Sequence, residues 1–258
     1  KSPDKDDLKL IDKINSSDIP YWIPNSRLPD GYNTRQPINS HGITHVHHFY
    51  TMRANWELGA LWERFLSKES RELRALRLAL TAASPYASKL RRFRAGKKGG
   101  GPLPGTLYIA SLITPPNVLM TVERNAAFIL KGFKSAQSLK DCSVQSCQSN
   151  DGYESLLENS LDYIFIDPPF GANLNYSELN FLWESWLKVW TNNKTEAIEN
   201  SVQGKGASEY RHLMAACFKE AYRVLKPGRW MTVEFSNTKA AVWNSIQTAL
   251  TEAGFIVA

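Results

Sequence analysis

The sequence LDYIFIDPPF at residues 161–170 constrains the fold of this chain more than any other stretch. Ile164, Phe165 and Ile166 form a short apolar run, which predicts a strand buried on both faces, as in a parallel sheet. Ligands of open α/β sheets bind just beyond the carboxyl ends of the strands, and Asp167 occupies that place. Two prolines follow, and each fixes φ near about −65° and lacks an N–H group. The sequence therefore predicts a stiff, acceptor-rich turn at the end of a buried strand.

The predicted catalytic residues are Asp167, Pro168, Pro169 and Phe170. The Asp167 carboxylate and the Pro168 carbonyl can both accept hydrogen bonds from one NH₂ group. A base amine is a weak nucleophile because its lone pair is delocalised into the ring, and two fixed acceptors favour a tetrahedral nitrogen. Phe170 can stack on the base, which contributes about 1–3 kcal/mol. The alternative is a structural junction in which Asp167 only caps the next helix.

Several stretches resemble a known family. The sequence DPPF at residues 167–170 resembles the catalytic motif of amino-methyltransferases that act on DNA adenine or cytosine. The sequence YRVLKPGRWMTVEF at 222–235 resembles the helix, tight turn and fifth strand of class I methyltransferases. Residues 171–187 and 42–53 resemble bacterial adenine-specific DNA methylases. The resemblance covers most of the chain and is strongest over residues 162–235.

The resemblance implies an α/β fold, namely a Rossmann-like class I methyltransferase sheet with helices on both faces, and a mainly helical N-terminal insertion. Strands are expected around residues 144–148, 162–166, 230–235 and 255–258. Two domains are expected: residues 1–135, with a basic loop at 91–105, and a catalytic core at 136–258. No glycine-rich cofactor turn follows any strand-like segment. The sheet is therefore expected to be incomplete, and the chain to be a C-terminal piece of a longer protein.

The resemblance also implies S-adenosylmethionine as cofactor and DNA as partner, with the target base flipped out of the duplex. Asp151 and Asp167 are the expected cofactor contacts. Asp151 lies in an Asn-Asp-Gly sequence that can equally be a plain turn. Asn173, Asn175 and Tyr176 precede an amphipathic helix close to the motif, and they are expected to line the base pocket.

The most basic segment is RRFRAGKKGGGP at residues 91–102. Arg92, Arg94, Lys97 and Lys98 are expected to contact the DNA backbone. The alternative is a solvated hairpin tip. The net charge of +6 and the isoelectric point of about 9.1 favour an anionic partner.

Composition also bears on the cellular compartment, on membrane helices and on metal binding. The three cysteines have no paired metal spacing, which indicates a reducing compartment, and we expect the cytoplasm. No apolar run reaches the length of about 18–20 residues that a membrane helix needs. On a strand His45 and His47 would share a face with each other, but no carboxylate or cysteine stands at ligand spacing, so we expect no metal site.

The remaining pattern is mostly helical. Residues 1–35 are predicted to be arm and loop, because Pro20, Pro24 and Pro29 would break any long element, and Ile43 to Tyr50 alternates like a short strand. Helices are predicted at 52–66, 69–80, 118–133, 176–190 and 242–251. The helix at 176–190 carries one apolar stripe, which is predicted to be core: Leu179, Leu182, Trp183, Trp186, Leu187 and Trp190.

Two other functions remain open. Related motifs act on RNA bases or on glutamine side chains, and the glutamine enzymes tend to carry Asn where this chain has Asp167. A methyltransferase of RNA bases would use identical chemistry. A catalytically inert fragment that binds nucleic acid would show salt-dependent binding and no cofactor binding.

Overall fold

The structure is a computed structural model that describes residues 2–67, 69–96, 100–136 and 156–258. Within these ranges the chain forms two compact units. The first unit comprises residues 2–136 and 178–190, and the second comprises 156–177 and 191–258. The predicted domain boundary at residue 135 stays a prediction. No helix of the described part is both long enough and apolar enough to cross a membrane.

Five of the helices lie wholly in the first unit: α1 (Lys5–Asn15), α2 (Tyr32–His41), α3 (Met52–Leu66), α4 (Arg71–Ala83) and α5 (Val118–Ala136). The helix prediction at 52–66 is confirmed, and those at 69–80 and 118–133 are confirmed with small shifts at their ends. Ser70 caps the start of α4, because its hydroxyl accepts a hydrogen bond from the Leu73 N–H at 3.2 Å. A serine at this place satisfies one N–H group of the first turn.

The prediction of arm and loop for residues 1–35 is wrong where α1 and the first turn of α2 form. A capping box fixes the start of α1. The Asp4 carboxylate accepts from the Asp6 and Asp7 N–H groups, and the Asp7 carboxylate accepts from the Asp4 N–H. Pro20, Pro24 and Pro29 lie after α1 and before α2, and so they do not interrupt α1. No residue of α1 is buried, so this helix depends on its cap and on local pairs more than on packing.

The predicted strand at 43–50 is also wrong. Only His45 forms a bridge, with Arg27, and Val46–Phe49 is a 3₁₀ helix. Val46 and Phe49 are both fully buried, and a spacing of three places them on one side of a 3₁₀ turn. On a strand these two residues would face opposite sides of the sheet.

Helix α6 (Tyr176–Leu187) supplies the centre of the first unit's core. Trp186 is 1% exposed, and its ring centroid lies 5.9 Å from Trp22, 6.0 Å from Tyr50 and 5.7 Å from Trp62. The Trp186 Nε1–H donates to the Tyr50 hydroxyl at 3.2 Å, so the indole is buried with its polar group satisfied. The predicted stripe is buried or half-buried at four positions and about half exposed at Leu187 and Trp190, which lie at and just beyond the helix end.

The second unit contains two parallel strands, β1 (Leu161–Ile166) and β2 (Leu225–Val233), and the helices α7 (Ala207–Val224) and α8 (Ala240–Ala253). The strand predictions at 162–166 and 230–235 are confirmed, except that β2 ends at 233, and the helix prediction at 242–251 is confirmed. Parallel neighbours need a long crossover, which here contains α7. The fold is therefore mixed helix and sheet, as an incomplete α/β fold would be.

The tight turn predicted within residues 222–235 corresponds to Lys226–Gly228, which lies inside β2 as a bulge. Leu161 pairs with Leu225 and Tyr163 with Trp230, so four residues of β2 stand opposite one residue of β1. Gly228 has φ of +73°, a conformation that favours glycine. The Lys226 ammonium lies 2.9 Å from the Asp162 carboxylate, and this ion pair lowers the pKa of Asp162.

Two features of the predicted sheet are corrected. The strand expected at 255–258 is absent, since these residues pair with no described strand and Ile256 is 93% exposed. The β1 strand is not buried on both faces, because Tyr163 and Phe165 are 55% and 57% exposed. Ile166, by contrast, packs against a core formed by α7 and α8. The strand expected at 144–148 lies outside the described residues.

Candidate functional site

The predicted catalytic residues form the loop that leaves β1. The Ile166 carbonyl still accepts from the Glu234 N–H at 2.9 Å, which is the last bond between the two strand ends. Asp167 is exposed, Pro168 is buried, and Pro169 and Phe170 are half-buried. The Asp167 carboxylate accepts no hydrogen bond from any residue within the described ranges. The acid at the strand end is therefore open to an external donor.

Three separate segments hold the carbonyl groups that follow. The Tyr210 hydroxyl of α7 donates to the Pro169 carbonyl at 2.6 Å. The Asn237 side-chain amide, just after β2, donates to the Phe170 carbonyl at 2.9 Å. The backbone N–H of Glu199 donates to the Gly171 carbonyl at 3.2 Å. The loop is thereby fixed at three successive residues.

The Tyr210 hydroxyl is suited to a permanent structural bond. Its side chain is fully buried. Burial raises the pKa of Tyr210 well above its usual range, and the negative charge of Glu199 adds to the increase. The hydroxyl therefore keeps its proton and remains a donor to the Pro169 carbonyl over the whole neutral range.

Gly171 allows the loop to turn. Its φ is +70°, in the left-handed region that side chains rarely adopt. A Cβ atom at this position would lie 3.3 Å from Cγ1 of Val242. The turn therefore needs glycine both for its backbone conformation and because α8 approaches it closely.

A series of edge-to-face contacts between aromatic rings sets the orientation of Phe170. Its ring meets Phe235 edge to face with centroids 5.2 Å apart, and Phe235 meets Trp243 in the same way at 5.0 Å. The Trp243 Nε1–H donates to the Asn237 carbonyl at 2.8 Å, so this ring is itself anchored. Edge-to-face pairs of this kind contribute about 0.5–1.5 kcal/mol each beyond the area they bury.

A cavity of about 490 Å³ opens beside this loop. Phe170 and Asn173 line it from the β1 side, Asn237 and Lys239 from the β2 side, and Glu199 from the segment before α7. It thus lies beyond the carboxyl ends of both parallel strands, where ligands of open α/β sheets bind. Asp167 is not among the residues that line it.

The remaining residues expected in the base pocket differ in exposure. Asn173 is exposed at the cavity. Asn175 is buried, and its Oδ1 accepts from the Asn200 side-chain amide at 2.9 Å, which ties the loop to a second turn. Tyr176 is partly exposed. Burial raises the pKa of Tyr176, and the nearby carboxylates of Asp167 and Glu196 add to the increase. The fold thus places Asp167 close enough to Tyr176 for the carboxylate charge to act on the Tyr176 hydroxyl.

The basic segment belongs to the first unit. The Arg92 carbonyl accepts from the Gly100 N–H at 2.9 Å, and the Arg92 Nε–H donates to the Gly101 carbonyl at 3.3 Å. Arg94 is exposed. Lys97 and Lys98 lie outside the described residues, as does Asp151. The predicted contacts of these residues with DNA and cofactor stay predictions.

Tyr210, Asn237 and Glu199 were not predicted from the sequence. Tyr210 lies on the apolar stripe of α7, where an aromatic residue indicates core and not a loop anchor. The signal for Asn237 was available, since Ser236, Asn237 and Thr238 directly follow the predicted strand at 230–235. Polar residues at the carboxyl end of a second parallel strand are candidates for the same site.

In the described part of the chain, no group of three or more His, Cys, Asp or Glu side chains is placed to hold a metal ion. Comparisons with protein-family models, with curated proteins and with solved structures find no match to this chain.

Proposed function

We propose that this protein is an S-adenosylmethionine-dependent methyltransferase that acts on the exocyclic amine of a DNA base, with adenine as the expected target. The observation that carries the proposal is the exposed, unpartnered carboxylate of Asp167 within the described structure, directly before a loop fixed at three carbonyl groups. Acceptors that are held in place need no reorganisation when a substrate amine arrives, which supports catalysis by positioning.

The pattern of hydrogen bonds supports a choice of the two acceptors. The carbonyl groups of Pro169 and Phe170 are occupied by Tyr210 and Asn237. The Pro168 carbonyl has no hydrogen-bond partner among the residues described. Asp167 and Pro168 are therefore the two acceptors proposed for the hydrogens of the NH₂ group. An amine held by both directs its lone pair away from them, toward the methyl donor.

Phe170 is proposed to stack on the flipped base. Its ring lines the cavity beyond the strand ends and is held by Phe235. A flipped base needs such a platform, because it loses its neighbours in the duplex. Asn173, exposed in the same cavity, is proposed to contact the polar edge of the base.

The described residues fit the target amine better than they fit the cofactor. The segments after β1 and β2 read DPPF and EFSNTK, and neither is a glycine-rich turn. S-adenosylmethionine would supply the methyl group. No residue of this chain is assigned a step with it, apart from the expectation that Asp151 and Asp167 contact it.

The decisive experiment replaces Asp167 by Asn and by Ala and measures transfer of labelled methyl groups to duplex DNA. Both variants are expected to lose activity, because one acceptor of the amine is removed. Asp162→Asn is the matched control, since it removes an exposed carboxylate at the other end of β1. Normal transfer by the Asp167 variants would refute the assignment.

A calorimetric titration with S-adenosylmethionine should precede the assay. Saturation at about 100 times the dissociation constant would raise the stability of the chain by about 2.7 kcal/mol, which is visible as a shift in melting temperature. Binding followed by methylation of RNA and not of DNA would favour the RNA-base alternative. DNA binding that weakens with salt, with no cofactor binding, would favour the inert fragment.

A further inference from the structure

A second cavity, of about 540 Å³, lies in the first unit and is independent of the DPPF loop. It is lined by the 3₁₀ turn that carries His47 and His48, by the first turn of α3, and by Lys89. None of the described residues that line it is acidic. The surroundings therefore favour an anion.

The donors for an anion are in place. The first turn of α3 begins at Met52, and the N–H groups of Met52 and Arg53 have no hydrogen-bond partner among the described residues. The start of a 15-residue helix attracts negative charge. The Lys89 ammonium donates to the His48 carbonyl at 2.8 Å, and an ammonium has two further N–H donors.

The same cavity holds two buried acceptors without partners. Asn55 is 3% exposed, and its side-chain amide donates to the His47 carbonyl at 2.9 Å, which leaves its Oδ1 unpaired among the described residues. The Nδ1 atom of His47 is also buried and unpaired there. Buried polar groups are normally hydrogen-bonded, so two such atoms at one cavity indicate an occupant that brings a donor.

A neutral His47 ring can offer Nδ1 as an acceptor. Burial lowers the pKa of His47, and the positive charges of His45 and Lys89 add to the decrease, so the neutral form is favoured near pH 7. The Nδ1 atom has no partner among the described residues and is therefore available to a donor on the bound group. A neutral ring with its proton on Nε2 presents a lone pair at Nδ1.

We propose that this cavity binds a phosphate group, either as inorganic hydrogen phosphate or as the phosphate of a mononucleotide. The negative oxygens would accept from Lys89 and from the N–H groups at the start of α3. A P–OH group would donate to Asn55 Oδ1 or to His47 Nδ1. Phosphate monoesters lose their second proton near pH 6, so a proton is readily held at such a site near neutral pH. Sulfate has oxygens of the same arrangement but no proton to donate, and it is therefore the discriminating competitor.

The test titrates the whole chain, in a buffer free of phosphate, with inorganic phosphate, sulfate and adenosine 5′-monophosphate in separate calorimetric experiments. Phosphate is expected to bind at least about tenfold more tightly than sulfate, about 1.4 kcal/mol. Similar affinities for phosphate and the nucleotide would identify the free anion as sufficient, and a much tighter nucleotide would identify the mononucleotide. Either result supports the site, provided that Lys89→Met weakens the binding of the phosphate and of the nucleotide.

Lys89→Met is expected to lower the phosphate affinity at least tenfold, while Lys9→Met, which removes an exposed lysine of α1, leaves it unchanged. His47→Phe removes the Nδ1 acceptor and should narrow the difference between phosphate and sulfate. If a variant fails to fold, the nitrogen chemical shifts of His47 in the unaltered chain provide a second measure, since phosphate should move Nδ1. Equal binding of sulfate, no binding of phosphate, or an affinity unchanged in folded Lys89→Met would overturn the proposal.

Discussion

The two compact units differ in where their large aromatic side chains lie. In the first unit Tyr50, Trp62 and Trp186 are almost fully buried around α6. In the second unit β1 and β2 leave large aromatic side chains exposed, including Tyr163, Phe165 and Trp230. Parallel sheets are normally covered on both faces. The first unit therefore has aromatic rings at the centre of its core, whereas the second combines a sheet that has exposed aromatic side chains with the proposed chemistry.

The strongest test of this contrast is Trp186→Ala. Removal of a fully buried indole that contacts three other aromatic rings is expected to cost about 3–5 kcal/mol of the free energy of unfolding. Leu187→Ala, the next residue and 48% exposed, is expected to cost less than about 1 kcal/mol. Urea unfolding followed by far-ultraviolet circular dichroism measures both. Similar losses in the two variants would show that the aromatic cluster is not the centre of this core.

A smaller effect is expected from the bond that anchors the proposed catalytic loop, residues 167–171, in the second unit. Tyr210→Phe removes the hydroxyl donor to the Pro169 carbonyl and should cost about 1–3 kcal/mol, because the carbonyl keeps no replacement. Tyr222→Phe on the same helix is the control, since its side chain is about half exposed.

The same pair of variants tests the role of the loop. If the fixed carbonyl positions Asp167 and Pro168, Tyr210→Phe should also lower the rate of methyl transfer more than the affinity for DNA. An unchanged rate with lowered stability would restrict Tyr210 to a structural function.

Much of the secondary structure could be predicted from periodicity. The helix Met52–Leu66 carries the 3.6-residue pattern of an amphipathic helix, and the strand at 161–166 carries a compact apolar run. Both elements were found. The helix Lys5–Asn15 was missed although it has an acidic capping box and apolar residues at Leu8, Ile11 and Ile14, because the prolines that follow it favoured a loop over the whole of residues 1–35. The 3₁₀ turn Val46–Phe49 was mistaken for a strand because four residues cannot separate a period of two from a period of three.

The site was predicted only in part for a different reason. Asp167 and Phe170 belong to one motif of four consecutive residues, so the sequence alone was enough to propose them. Tyr210 and Asn237 reach the same loop from 41 and 67 residues away. Such contacts depend on the pairing of β1 with β2 and on the packing of α7, which no local pattern specifies.

The backbone conformation of Gly171 offers a finer test of the proposed catalytic loop. Gly171 and Gly204 have φ of +70° and +69°, so an alanine at either position should cost about 1–2 kcal/mol. Only at Gly171 would the new Cβ meet a neighbour, Val242, whereas nothing lies within 4 Å at Gly204. Gly171→Ala is therefore expected to be the more destabilising by several tenths of a kcal/mol. Thermal unfolding of the two variants measures the difference, and equal losses would mean that the loop and α8 can separate freely.

The smallest expected effect is a dependence of the first unit's stability on pH. Burial lowers the pKa values of His47 and His48 below 6.5, and the positive charges of neighbouring histidines and of Lys89 add to the decrease. The unfolded chain then binds more protons than the folded chain just below pH 6.5. The free energy of unfolding is therefore not reduced by these histidines above that pH, and it decreases as the pH falls from 6.5 through their lowered pKa values.

The melting temperature should therefore fall between pH 7 and pH 5 in buffers free of phosphate, and His48→Gln should make this fall shallower. His212→Gln, at an exposed histidine of α7 in the second unit, should leave the slope unchanged. The comparison of the two slopes assigns the pH dependence to one unit, since each variant removes one imidazole. A slope that changes equally in both variants would mean that the half-buried histidines of the first unit contribute nothing specific, and that general charge repulsion governs the loss of stability in acid.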